Sequence, residues 1–170
     1  MRRVVTILTI LILFPIVGCA TASKTTSSTK AKKTQTTQKI YAIGETANVG
    51  GIEVTVYSRT PSSPNLTSNG VAIDTAPAGF EDFMLDVGAK NTNSDTRRVA
   101  RQEMSFQTPD GFHYQTYSMV PPPSFPEGEA QPGETLRGNV TFQVPTGKQG
   151  NFVFDKSALG GEGKALFKVQ

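Results

Sequence analysis

The chain has no tryptophan, one cysteine and one histidine among its 170 residues. A lone cysteine excludes an intramolecular disulfide, so an exported domain of this size must be held by its core rather than by covalent staples. One cysteine and one histidine also leave no nitrogen–sulfur cluster for zinc. A serine triad or a cysteine–histidine dyad would have to use His113, because catalysis of that kind needs an imidazole beside the nucleophile. Long apolar runs are nearly absent as well. The one from Val4 to Val17 contains Pro15 and is shorter than the roughly 20 residues that span a bilayer.

Charge of one sign is missing locally. No acidic residue precedes Ile40, whereas seven of the 17 basic residues do: Arg2, Arg3, Lys24, Lys30, Lys32, Lys33 and Lys39. From Ile40 onward ten basic residues face all 14 acidic ones, a net charge of −4 behind an overall +3. The basic footprint of a nucleic-acid-binding domain is therefore absent, and no nucleic-acid partner is expected.

What is present at the start is a leader pattern: Arg2 and Arg3, then the apolar run, then Ile16-Val17-Gly18-Cys19. A cysteine placed directly after the small residue resembles the lipobox of bacterial lipoproteins. That resemblance implies a signal peptide over 1–18, removal of the leader, acylation of Cys19 and attachment to a membrane through it. The expected location is the outer face of the cell membrane, or an outer membrane where there are two. Residues 19–39 continue as Thr, Ser, Lys, Gln and Ala, with Ile40 the first large apolar residue after Cys19. Such a tract cannot offset the entropy of ordering and reads as a flexible tether with a typical span of about 25 Å. Its lysines read first as charge that keeps such a tract soluble, and second as a minor attraction to an anionic membrane surface where they approach it.

From Ile40 to Gln170 the sequence period is two. Ile52, Val54 and Val56 alternate with Glu53, Thr55 and Tyr57. Phe83, Leu85, Val87 and Ala89 alternate with Met84, Asp86, Gly88 and Lys90. Leu136, Gly138, Val140, Phe142 and Val144 alternate with Arg137, Asn139, Thr141 and Gln143. Each is a half-buried strand with one dry face. Shorter strands are expected at Met104–Thr108, His113–Tyr117, Asn151–Asp155 and Ala165–Val169. Pro109-Asp110-Gly111 between the first two of these marks a hairpin. Without amphipathic helices to act as crossovers, seven to nine short strands point to an all-β, immunoglobulin-like antiparallel β-sandwich.

Several blocks in order then resemble the family known as domain of unknown function 4352. They are Tyr41-Ala42-Ile43-Gly44-Glu45-Thr46 with Gly51-Ile52-Glu53-Val54-Thr55-Val56, and Phe83-Met84-Leu85-Asp86-Val87 leading to Lys90-Asn91-Thr92-Asn93. Phe106 to Thr108, Asp110-Gly111 and Tyr114 follow, then Pro132-Gly133-Glu134-Thr135, Gly138, Phe142 and Val144-Pro145. The resemblance implies an immunoprotective extracellular immunoglobulin-like fold, often placed behind a lipoprotein leader, with no assigned activity. The chain departs from it in the insert Thr60–Gly79 and the proline-rich loop Val120–Pro126. Gly44-Glu45 and Gly133-Glu134 read as turns, and Asn91 and Asn93 as a strand exit bonded by side-chain amides.

No shared position reads as catalytic, and neither a catalytic residue nor a cofactor nor a metal is expected. His113 lies on a strand between Phe112 and Tyr114 and reads as a solvated side chain. Glu81, Asp82 and Asp86 share a strand, with Asp82 and Asp86 on one face, and read as solvated charge. Glu127, Glu129 and Glu134 flank a loop, but no D-x-D-x-D-G run accompanies them. Arg97, Arg98 and Arg101 read as a charged strand edge. The candidate partner-binding surface is Phe112, Tyr114 and Tyr117 beside Pro121, Pro122 and Pro123, where stiff prolines would present aromatic rings to an envelope protein or surface ligand. The function expected is that of a lipid-anchored, non-enzymatic binding or scaffolding domain. A hydrolase of envelope polymers, and a structural spacer or exported subunit of a complex, are the alternatives.

Overall fold

The computed structural model describes residues Gln38–Val169. The expected leader, Cys19 and nearly all of the expected tether lie outside these residues. Thirteen strands form: β1 Ile40–Tyr41, β2 Thr46–Val49, β3 Ile52–Arg59, β4 Asn65–Ser68, β5 Val71–Thr75, β6 Phe80–Asn91, β7 Arg97–Val99, β8 Met104–Gln107, β9 His113–Tyr117, β10 Gly128–Ala130, β11 Thr135–Pro145, β12 Asn151–Asp155 and β13 Lys164–Lys168. Nine of them run in the order β1-β13-β12-β8-β9-β11-β6-β3-β2, and β4–β5 and β7–β10 stand apart as two small pairs.

The nine strands make the two layers of a sandwich because β9 changes sheet. Ser105, Phe106 and Gln107 of β8 pair with Gln115, Tyr114 and His113. One residue later Thr116 and Tyr117 pair with Phe142 and Thr141 of β11. Strands that cross between layers are how sheets form corners.

The period-two runs bury the face they were expected to bury. Ile52, Val54 and Val56 of β3, Leu85, Val87 and Ala89 of β6, and Val140, Phe142 and Val144 of β11 are fully buried. Phenylalanines from both layers interleave. Phe83 stands 5.1 Å from Phe106 and 5.5 Å from Phe142, and Phe152 lies 6.2 Å from Phe142 and 5.9 Å from Phe167, centroid to centroid. Removing each ring from water contributes about 1.5–3 kcal/mol, which is how the domain dispenses with a disulfide.

The all-β sandwich thus forms as expected, with two differences. The strand count exceeds nine because the Thr60–Gly79 insert is itself a hairpin, β4–β5, and because β7 and β10 pair outside the main layers. The sandwich is not purely antiparallel: β1 runs parallel to β13, with Ile40 opposite Leu166 and Tyr41 opposite Phe167. Two turns of one design precede β2 and β11. In each, a glycine with positive φ (Gly44 at 87°, Gly133 at 81°) is followed by a glutamate. Glu45 accepts from the Ala42 amide at 2.6 Å and Glu134 from the Gln131 amide at 2.7 Å.

At one end of the sandwich Asn91, fully buried, donates to the carbonyls of Asp95 and Ala130 and accepts from the Asn93 amide. Asn93 donates in turn to the Gly51 carbonyl at 3.0 Å. This approach demands glycine at 51, where a Cβ would lie 2.2 Å from the Asn93 side chain. Both asparagines therefore do the bonding expected of them.

Candidate functional site

The sequence-predicted binding residues do not converge on one surface. Phe112 is exposed before β9 begins. Tyr114 pairs with the buried Phe106 and packs against the core. Tyr117 pairs with Thr141, a position on the outer face of β11, and so points the opposite way. The proline loop is pinned across β11. Asn139 donates its side-chain amide to the Pro121 carbonyl at 3.1 Å and its backbone amide to Pro123 at 2.7 Å, and Phe125 donates back to the Asn139 carbonyl at 2.9 Å. Pro121 and Phe125 are buried while Pro122 and Pro123 are exposed. The crossing needs glycine at 138, because a Cβ there would come 2.6 Å from the Phe125 backbone. The loop is a cover on the sheet, with two prolines on its outer side.

His113 is exposed and its Nδ1 lies 3.2 Å from the Ser105 hydroxyl, a diagonal contact between paired strands. Among the described residues no carboxylate bonds the imidazole, so nothing orients it as a triad aspartate would. Of the loop acids, Glu127 pairs with Arg101, and Glu134 is engaged in its own turn. Arg97 pairs with Asp95 at 3.1 Å, and Arg97 and Arg98 sit on the short strand β7. No group of three or more histidine, cysteine and acidic side chains gathers as a metal site among the described residues.

The most unusual electrostatics lie where the sequence reading placed solvated charge. Asp82 is on the outer face of β6, yet only 2% of it is exposed. The β4–β5 hairpin covers it. Ser63 and Asp82 exchange backbone hydrogen bonds of 2.9 and 2.7 Å; the Thr60 amide donates to the Met84 carbonyl at 2.9 Å, and the Met84 amide donates to the Thr60 hydroxyl oxygen at 2.9 Å. Leu66, 6% exposed, pairs with Asp74 across the hairpin, so Asp74 shares the face that Leu66 presses onto the sheet. Asp82 accepts at Oδ1 from the Gln143 side-chain amide at 3.2 Å. The Oδ2 atoms of Asp82 and Asp74 are both buried and neither has a hydrogen-bond partner. No lysine or arginine forms an ion pair with either carboxylate among the described residues.

Burial pushes the Asp82 carboxyl above its ordinary value; the Gln143 bond opposes that shift, and the nearby Asp74 charge adds to it. The Tyr117 hydroxyl is pushed up first by its bond to Asp74, then by burial and by the charges of Asp74 and Asp82. Beside Asp82 a cavity of about 310 Å³ is lined by Thr60, Ser63, Asn65, Thr67 and Met84 among others. The sequence did carry a signal for this cover. Asn69-Gly70, between Leu66-Thr67-Ser68 and Val71-Ala72-Ile73, is a two-residue hairpin turn, with φ of 50° and 78°.

The model of the family described as "Domain of unknown function (DUF4352)" matches residues 41–165. No curated protein matches the sequence significantly. Among solved structures, the yjhA protein of Bacillus subtilis superposes with a TM-score of 0.58 at 14% identity, over 77% of this chain and 100% of that one. A secreted protein of Mycobacterium tuberculosis, MPT63, gives 0.54 at 13% identity, over 77% and 97%. A Bacillus subtilis protein described as a "putative lipoprotein (ycdA)" gives 0.53 at 15% identity over 73% of this chain, which spans only 38% of that protein's length. At such identities the likeness is one of fold.

Proposed function

The chain belongs to the DUF4352 family, and on that premise we propose that it is an exported lipoprotein, anchored through Cys19, whose β-sandwich serves as a non-enzymatic binding or scaffolding module in the cell envelope. The observation that carries this reading is the sequence Ile16-Val17-Gly18-Cys19 behind a basic and then apolar leader, with a polar tract before the folded domain. Acylation at Cys19 gives the domain one membrane contact, and a tract of some 20 residues gives it reach from the surface. Two solved structures of the same fold are described as a "secreted protein" and as a "putative lipoprotein", which agrees with export.

A binding role is supported by what the domain presents. Phe112 is 65% exposed, Met119 43% and Val71 65%, large apolar side chains left in water at loops and on the hairpin. Non-catalytic action is supported by the way several chemistry-bearing side chains are spent: His113 Nδ1 lies beside the Ser105 hydroxyl, Glu134 holds its own turn and Glu127 pairs with Arg101.

Metabolic labelling with an alkyne fatty acid tests the anchor. The wild-type chain is expected to carry label and partition with membranes, whereas Cys19→Ser loses the label and accumulates as an uncleaved or released product. Normal labelling and membrane retention of Cys19→Ser would refute the anchor. Crosslinking in intact cells followed by capture tests the binding role, and a chain that enriches no protein or polymer reproducibly is a spacer.

A further inference from the structure

The β4–β5 hairpin is bonded to the sandwich backbone only at its root. Ser63 exchanges backbone hydrogen bonds with Asp82, and the Thr60 amide donates to the Met84 carbonyl. Beyond Ser63 no backbone bond joins β4 or β5 to β6 among the described residues, and the two strands pair with each other alone. Side chains hold the outer part down. Leu66 and Ala76 are its buried apolar groups, while Val71 and Ile73 face water, and Asp74 takes the Tyr117 hydroxyl. Beneath lies Asp82, 2% exposed, with the Gln143 amide on one oxygen and nothing on the other. An attachment that rests on one leucine is comparable in strength with the cost of burying one unmatched carboxylate. The charge on Asp82 can therefore decide whether this flap is down.

We propose that the β4–β5 hairpin is a proton-controlled flap over the outer face of β6, seated while the Asp82 carboxyl is neutral and lifted once it ionises. The groups that face Asp82 give its charge no counter-charge. Asp74 on β5 is a second acid, Tyr117 on β9 is a hydroxyl engaged by Asp74, and Gln143 on β11 is a neutral amide. Strand β4 carries no charged side chain. On β6 itself Glu81 points to the opposite face, where it accepts from the Gly147 amide, and Asp86 is matched by Arg137. Arg59, at the end of β3, stands over the inward-facing Phe83 ring and donates to Ser62. A neutral carboxyl beneath the flap forgoes one hydrogen bond. An ionised one is a buried charge near another acid, and water reaches it only when the flap lifts. Burial raises the proton affinity of Asp82 while the flap is down; with the flap up it titrates as an ordinary carboxyl. Seating is therefore strongest below the ordinary carboxylate value and is lost as pH rises through the raised value of the seated form. Lifting frees Leu66 and bares Met84, which line the same cavity, and so creates an apolar patch that acid withdraws. The inference does not depend on the lipid anchor.

The test is amide hydrogen exchange on the full chain in detergent, from about pH 4 to about pH 8, with each rate divided by its intrinsic rate at that pH. The Asp82 carboxyl carbon is followed by NMR over the same range. Protection of residues 64–78 is expected to fall as pH rises, about tenfold for each unit by which the Asp82 midpoint exceeds the ordinary carboxylate value. Amides near Asp86 should keep theirs. Asp82→Asn is expected to hold the flap down at every pH and to abolish the dependence, whereas Asp86→Asn retains it. Asp74→Asn should retain it with a smaller amplitude, because the Asp74 charge adds to the raised value. Three results overturn the proposal: protection that does not change with pH; the same dependence in Asp82→Asn as in the wild type; or a dependence abolished by Asp74→Asn alone, which assigns the proton to Asp74. An Asp82 midpoint at the ordinary carboxylate value in the wild-type chain also overturns it, whether or not Asp82→Asn folds.

Discussion

Asp82 and Asp86 stand four residues apart on one strand and one face, and meet opposite fates. Asp86 takes a two-pronged hydrogen bond from Arg137, at 3.0 Å from Nε and 2.7 Å from Nη2. The guanidinium lies over the Tyr57 ring at 3.8 Å, and that ring rests on Gly88, where a Cβ would approach it to 2.7 Å. The acid, the cation and the aromatic lid form a finished, water-edged unit. Asp82 has an amide on one oxygen and nothing on the other, under a hairpin that removes it from water. The alternation of a strand decides which way a side chain points. What later lies upon that face decides whether its charge is solvated, matched or stranded.

The comparison can be broken wholesale by removing what supports both halves. Phe142→Ala, in the middle of the ring stack, is expected to cost about 3–5 kcal/mol and to lower the unfolding midpoint in denaturant at both regions alike. Leu66→Ala acts on one half only. It should cost about 2 kcal/mol, at the low end for a buried leucine because the hairpin can adjust. Amide exchange would localise the loss to residues 60–79 while amides near Asp86 remain protected. The sharpest contrast is the smallest in size. Asp82→Asn is expected to stabilise by about 1 kcal/mol, since it removes a stranded charge. Asp86→Asn should destabilise by about 0.5 kcal/mol, the scale of an exposed ion pair. Thermal unfolding of the two variants side by side checks the opposite signs, and equal signs would show that the hairpin leaves Asp82 as wet as Asp86.

Legibility in the sequence followed burial on a single face. β3, β6 and β11 stand out because one side of each is dry over most of its length, so their periodicity is clean. β12, buried on both faces, and β9, none of whose residues is fully buried, were read from short runs rich in β-formers and from the Pro109-Asp110-Gly111 turn signal between β8 and β9. The strands that went unread are short or polar. β1 has two residues and β7 three, too few for a period to register. β4 and β5 lie over the outer face of a sheet, so their alternation is faint, and only Asn69-Gly70 marked them. The acid pair was hidden for a deeper reason. Period two assigns Asp82 to the wet side correctly, and only a segment nearer the N-terminus, folding back over it, makes that assignment misleading. The proline loop was visible as a stiff element, but its clamp on Asn139 and Gly138 depends on a pairing across the chain that no local pattern records.

The passage of β9 from one layer to the other has a mechanical meaning. Four strands lie on each side of it in the order β1-β13-β12-β8 and β11-β6-β3-β2. The domain is therefore bound like a book, with β9 as the spine and the two sheets as covers. Prying the covers apart along the spine means breaking backbone hydrogen bonds on one side of the Gln115–Thr116 junction. The fore-edge, where β1 and β2 lie, is held by side chains and loops. The described chain enters the fold there through Ile40 and Tyr41, so a pull on the residues before them loads the fore-edge first and leaves the spine intact.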